Sequence, residues 1–206
     1  MFLRLAFAAV LLAAAPVANA SVLVSNITEP VRATTQIDAS LWAAQSFIND
    51  GTTSTLTSID AVVGGLVGSP GLVAELHDGT TSGALLTTFV LPSFSGAPSA
   101  RSFLASSLVT LNPGATYWLV LGASGRGSIG WSYAEGNNQT GTGSLGNYAY
   151  SYDQGATWGS AGAQNPYLIE VNVRTGAVPE PATWAMMLLG FAGAGAAIRR
   201  RRVRVA

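Results

Sequence analysis

The chain has 206 residues, with ten Arg and ten acids for a formal net charge of zero, and it contains neither Cys nor Lys. The missing Cys excludes a disulfide scaffold, a thiolate metal site and a Cys nucleophile, while the length suits one folded domain with a real core. Charge is unevenly placed: Ser21 to Val178 holds four Arg against nine acids, a net of −5, and five Arg lie within 199–204. A body of that sign is a poor nucleic-acid ligand, because phosphate binding rests on Lys and Arg contacts.

The N-terminus reads MFLRLAFAAVLLAAAPVANA. Arg4 supplies a positive n-region, Leu5 to Ala15 form an apolar h-region, and Ala18-Asn19-Ala20 is an A-x-A cleavage site. This layout predicts a secretory signal peptide over 1–20 and a mature chain beginning at Ser21.

From 21 to 176 short apolar runs recur between Gly, Pro, Asn, Asp and Ser. They predict strands over Leu41–Phe47, Leu56–Val63, Leu72–His77, Leu85–Leu91 and Phe103–Leu111. Further strands are expected over Tyr117–Leu121, Ile129–Tyr133, Tyr148–Tyr152 and Leu168–Val173. Turn signals such as Asp78-Gly79 and Asn112-Pro113-Gly114 stand between them. No stretch of this body sustains a 3.6-residue period with caps. Strands at this spacing predict an all-β domain, an antiparallel β-sandwich of jelly-roll-like form.

Chemistry-bearing residues in the body are sparse. His77 is the single His; Glu75 falls on the same strand face and Asp78 follows it. No G-x-S-x-G elbow accompanies it and a zinc site would lack partners, so it reads as a rim histidine. Asp60, Glu75, Glu135 and Asp153 are the carboxylates from which a glycan-hydrolysing pair would have to be drawn, and their separation in space is not written in the sequence. Asp50, Asp78 and Asn137 read as turn residues, since no D-x-D-x-D-G loop is present. No catalytic residue, metal ligand or cofactor is assigned. Aromatic residues concentrate in the last third. Tyr148, Tyr150 and Tyr152 alternate, which on a strand sends all three to one face. That face is either core, given the large area such rings bury, or an exposed row able to stack on sugar rings, with Asn137, Asn138, Gln139 and Asn147 near in sequence.

At the C-terminus, Ala182 to Ile198 is 17 residues without a charge. As a helix it would span about 26 Å, the short end of what crosses a bilayer. Gly190, Gly193 and Gly195 suit close packing in lipid, and Trp184 sits where indole prefers the interface. Arg199, Arg200, Arg201 and Arg202 then act as a stop-transfer cluster held in the cytoplasm. One transmembrane helix over 182–198 is expected, with the body outside. Pro179 and Pro181 flank Glu180 and favour an extended, accessible chain before the helix.

Pro179-Glu180-Pro181, a hydrophobic helix and an Arg cluster, in that order over about 177–206, resemble the PEP-CTERM sorting signal. The resemblance implies processing by an exosortase, a membrane-embedded transpeptidase-like enzyme that reads the Pro-Glu-Pro segment as its substrate. It also implies a Gram-negative, exopolysaccharide-making host and a path from an inner-membrane intermediate to the cell surface or matrix. In the body, SFINDG at 46–51, LVAELHDGTTSGALL at 72–86, LNPGATYWLVLGAS at 111–124 and GWSY at 130–133 resemble the choice-of-anchor R domain. That family is a β-sandwich without an established activity, so no functional residue carries over. SYDQGATW at 151–158 resembles the Asp-box of sialidases and other propellers, a structural hairpin motif. It implies that Asp153 accepts backbone N–H groups, that Gly155 supplies an unusual dihedral and that Trp158 packs beneath the turn. One copy in a chain too short for a propeller argues for a hairpin and against a sialidase.

The expectation from sequence is therefore three segments: a signal peptide (1–20), a β-sandwich domain (21–176) and a PEP-CTERM sorting segment (177–206). The function expected is that of an exported, non-enzymatic surface or matrix protein linked to exopolysaccharide or biofilm. Its partners are an exosortase-like enzyme, the membrane and a polysaccharide, with no nucleic acid. The alternatives are a carbohydrate-binding module using Tyr148, Tyr150 and Tyr152, and a glycan hydrolase.

Overall fold

A computed structural model describes residues 19–69, 71–92 and 96–175, together with positions 187 and 190–192. Asn19–Thr175 form one unit with its own core. Residues 1–18 of the expected signal peptide, the Pro-Glu-Pro motif, the Arg cluster and most of the expected span over 182–198 lie outside the described residues. Met187, Gly190, Phe191 and Ala192 are helical. Among the described residues no helix is long and apolar enough to cross a membrane.

The unit is all-β and antiparallel. Its strands are β1 (Asn19–Ser25), β2 (Val31–Ile37), β3 (Trp42–Ile48), β4 (Ser54–Ser69), β5 (Leu72–Asp78), β6 (Leu85–Val90) and β7 (Ser99–Leu111), followed by β8 (Thr116–Ala123), β9 (Arg126–Ala134), β10 (Thr140–Gly141), β11 (Ser144–Ser151), β12 (Gly159–Gly162) and β13 (Ile169–Thr175). Hydrogen bonds connect them in the order β10-β1-β13-β4-β7-β6-β5-β8-β3-β11-β12, and β9 joins β2 to β4 as a side branch. Where two separate sheets were expected, the path is thus unbroken: one sheet curls into a half-barrel. The link is β7. Its pairing with β4 is interrupted between Leu104 and Val109, and beside this break Leu104 and Ala105 pair with Val90 and Phe89 of β6. Strand irregularities of this kind bend the chain and add twist, and here the bend carries the ladder from one wall to the other.

The core fills the concave side. Ile169, Val171 and Val173 alternate inward along β13, with Glu170, Asn172 and Arg174 outward. On β4, Leu56 is inward and so are Ile59, Ala61 and Val63, positions of opposite parity. A bulge reconciles them: the register slips on both neighbours around Thr57, and the Thr57 hydroxyl donates to the Asn172 carbonyl at 2.8 Å. β11 has a second bulge. Leu145 pairs with Phe47 and Tyr148 with Gln45, so Gly146 and Asn147 together face Ser46. The carbonyls this frees are taken up by side chains of β3. Gln45 Nε2 donates to Gly146 O at 3.1 Å and Asn147 O at 3.3 Å, and Ser46 Oγ donates to Asn147 O at 2.8 Å.

The opposite face carries a second, smaller cluster. Ala44, Val120 and Ala149 alternate with inward neighbours, so they face outward. Trp42, Trp118 and Trp158 cover them. Each indole nitrogen donates to a backbone carbonyl: Trp42 to Ala123 at 3.1 Å, Trp118 to Gly79 at 3.2 Å and Trp158 to Gly155 at 3.0 Å. A Cβ at Gly122 would stand 2.2 Å from the Trp42 ring, so only glycine lets that indole lie flat on the strand.

All nine expected strands exist, with shifted ends. Four more were not expected. β2 reads VRATTQI, is largely exposed and is held by β9 alone among the described strands. β10 and β12 are two and four residues long, too short to show a period. β1 begins at Asn19, two residues before the expected mature start, and its ladder with β13 continues from Ser21↔Val173 onward.

Two stability measurements check these contacts. Chemical denaturation of Gly122→Ala is expected to show a loss of about 1–3 kcal/mol from overpacking against Trp42. Gln45→Leu is expected to cost about 1–3 kcal/mol, because its freed, buried backbone partners lose their hydrogen bonds.

Candidate functional site

The aromatic residues of the last third do not form one row. Ahead of the β11 bulge Leu145 is inward; after it Tyr148 and Tyr150 are inward and pack against the main core. Tyr152 lies past the end of β11 and is 76% exposed. The inward rings meet a buried pair. Trp131 of β9 stacks on Tyr167 with centroids 4.1 Å apart and planes 19° apart. Tyr133, Tyr148 and Tyr150 each approach Tyr167 edge-on, at 6.2, 6.2 and 6.5 Å. Such edge-to-face contacts are favourable beyond the area they bury. The Tyr167 hydroxyl donates to Thr35 Oγ1 of β2 at 2.9 Å, and its backbone N–H donates to Gln45 Oε1 at 2.9 Å. Burial pushes the Tyr167 phenol far above its ordinary range. Burial also raises Tyr148, helped by the nearby Tyr150 and Tyr133. Both therefore stay neutral at physiological pH and act as hydroxyls, not as phenolate nucleophiles.

The Asp-box segment forms the turn its pattern implies. Asp153 Oδ1 accepts from the Ser151 hydroxyl at 2.7 Å and from the Thr157 N–H at 2.8 Å, and Oδ2 accepts from the Thr157 hydroxyl at 2.6 Å. The Gly155 N–H donates to Ser151 Oγ at 2.8 Å. Gln154 and Gly155 both have positive φ, 58° and 86°, a region natural for glycine and uncommon for glutamine, which the surrounding turn hydrogen bonds hold there. Trp158 packs on the outer cluster beneath the turn. These hydrogen bonds, the Thr157 hydroxyl first, pull the Asp153 carboxyl down to about 2.

Between this turn, the end of β11 and β12 lies a cavity of about 330 Å³. Tyr150, Tyr152, Asp153, Thr157, Gly159, Ser160 and Ala161 line it. It unites two of the three expected glycan-facing residues, Tyr150 and Tyr152; Tyr148 packs behind Tyr150 at 5.5 Å in an edge-on contact. The cavity could not be read from sequence, since one wall is the four-residue β12 and another is the Asp-box turn.

The candidate carboxylates are dispersed over different elements and each has a structural partner. Asp60 Oδ2 accepts from Asn172 Nδ2 at 3.3 Å. Glu75 Oε2 lies 3.0 Å from His77 Nε2, on the strand face expected, and His77 Nδ1 lies 3.1 Å from the Gly83 carbonyl. Glu135 stands 4.0 Å from Arg32 near the surface. Among the described residues no three of His, Cys, Asp and Glu gather as metal ligands. Asp50 accepts from the Ser144 hydroxyl in a loop contact. The sorting residues Pro179, Glu180, Pro181, Arg199, Arg200, Arg201 and Arg202 lie outside the described residues.

The lowered Asp153 value fixes a pH window. A carboxyl depressed in the folded state stabilises fully above its unfolded value, near 3.8, and that contribution is lost as pH falls through about 2. Trp158 emission is therefore expected to hold steady down to about pH 4 and to change between there and pH 2. In Asp153→Asn that transition is expected to be absent.

No curated protein matches the chain. Residues 177–202 do match a family model, described as the PEP-CTERM protein-sorting motif. The chain thus carries, where Pro179-Glu180-Pro181, the apolar run and the arginines stand in order, the sorting signal of an exported PEP-CTERM protein handled by an exosortase-type system.

Proposed function

We propose that this protein is a non-enzymatic surface or matrix component of an exopolysaccharide-producing, biofilm-forming bacterium. In this reading the signal peptide carries the chain through the inner membrane, the helix over 182–198 holds it there as an intermediate, and an exosortase releases or re-anchors the body. The observation that carries the reading is the sorting motif at 177–202. The body supports it in kind. The polar side chains that sequence offered for chemistry hold turns, carbonyls and surface contacts, as expected of a domain whose role is to persist outside the cell. A resemblance of the body to the choice-of-anchor R domain is part of the same proposal.

A second reading, a carbohydrate-binding module, is favoured by one observation: Tyr150 and Tyr152 face a common cavity bordered by hydroxyl groups.

Mass spectrometry of the mature C-terminus, on protein from the native envelope and medium, tests the first reading. A chain ending near Pro179–Pro181, or bearing an added group there, is expected. An intact Ala206 end in the membrane fraction would instead make the tail a permanent single-span anchor, and the sorting proposal would fall.

A further inference from the structure

The cavity beside the Asp-box turn combines features that sugar recognition needs. Ligand cavities are concave, mostly apolar and edged by a few fixed polar groups, with volumes of about 300–1,000 Å³. At about 330 Å³ this one suits a short saccharide unit. Its two phenol rings differ usefully. Tyr150 is braced from behind by Tyr148 and Tyr167, so it loses little freedom when a ligand arrives. Tyr152 is 76% exposed.

The polar rim is held in place. Asp153 is locked by Ser151 and Thr157. Gly159 pairs with Tyr150, shares its face and lies exposed on β12; among the described strands β12 ends the hydrogen-bonded path, so its outer edge presents backbone donors and acceptors left out of the ladder. Charge selects among sugars. Asp153 borders the cavity with its carboxyl held well below the usual range by its hydrogen bonds, and among the described residues no Arg lines it, so a uronate would meet a like charge without a counter-ion there.

We propose that this cavity binds a neutral hexose unit of a polysaccharide, with Tyr152 against the apolar face of the sugar ring and the backbone edge of β12 meeting its hydroxyls. This rests on the carbohydrate-binding reading and gives it a location and a substrate class.

The test is saturation-transfer NMR with calorimetric titration, on the full chain in a sugar-free detergent. The probes are cellotetraose, maltotetraose and mannotetraose, with tetragalacturonate as the acidic counterpart. Tyr152→Ala and Gly159→Arg both alter exposed positions, the second on the face of Tyr150 where a Cβ meets open space, and circular dichroism checks that they fold. The expected result is binding of at least one neutral tetrasaccharide, weakened about tenfold or more in each variant, as for the loss or blockage of an aromatic anchor. Equal binding by wild type and both variants would overturn this site and leave the carbohydrate-binding reading to another surface. Tighter binding of tetragalacturonate would overturn the neutral class. No binding of any probe would overturn the site and that reading together.

Discussion

One buried amide governs how β11 and the segment before β13 are set against β3. Gln45 is fully buried on β3, and all of its hydrogen-bonding capacity points at irregular backbone. Its nitrogen satisfies the carbonyls that the β11 bulge takes out of the ladder, and its oxygen satisfies the N–H of Tyr167. A buried amide so committed is worth more than its net bond energies, because every partner it releases would stay unpaired in a dry interior. The bulge it supports changes the parity of β11. Tyr148 and Tyr150 turn inward and Ala149 turns out; without it the two rings would face solvent and the alanine the core.

That change of parity separates two aromatic systems that the sequence places side by side. Inside, Trp131 and Tyr167 stack while three tyrosines meet them edge-on. The buried Trp131 Nε1 has no hydrogen-bond partner among the described residues, a cost that the stacking and burial of the cluster offset. Outside, three indoles lie over Ala44, Val120 and Ala149 with their nitrogens tied to backbone carbonyls. The Asp-box turn joins the two systems: Asp153 is among the residues that line the cavity with Tyr150 and Tyr152, and its tryptophan sits on the outer face.

Sorting and molecular activity are written in this chain in different ways. A signal read by a processing enzyme as an extended segment is a local, linear object, and residues 177–202 carry it in order along the chain. A binding surface on a β-domain is assembled from distant strands, and here the relevant cavity needs the end of β11, a turn and a short edge strand to come together.

The sequence by itself determined the sorting segment, the all-β class, nine of the thirteen strands and the Asp-box turn. Each rests on a local cause: an uncharged run with flanking prolines and arginines, a two-residue period, or side chains bonding backbone within four residues. It also placed Glu75 and His77 on one face, because parity holds within an unbulged strand. Only the tertiary structure decided that the sheet is continuous through β6 and β7, that Tyr148 and Tyr150 point inward while Tyr152 stays exposed, and that β1, β2, β10 and β12 are strands at all. Those features depend on bulges whose freed backbone groups are satisfied from other strands, as Gln45 does for β11, and on edge pairing by segments too short or too polar to reveal a period.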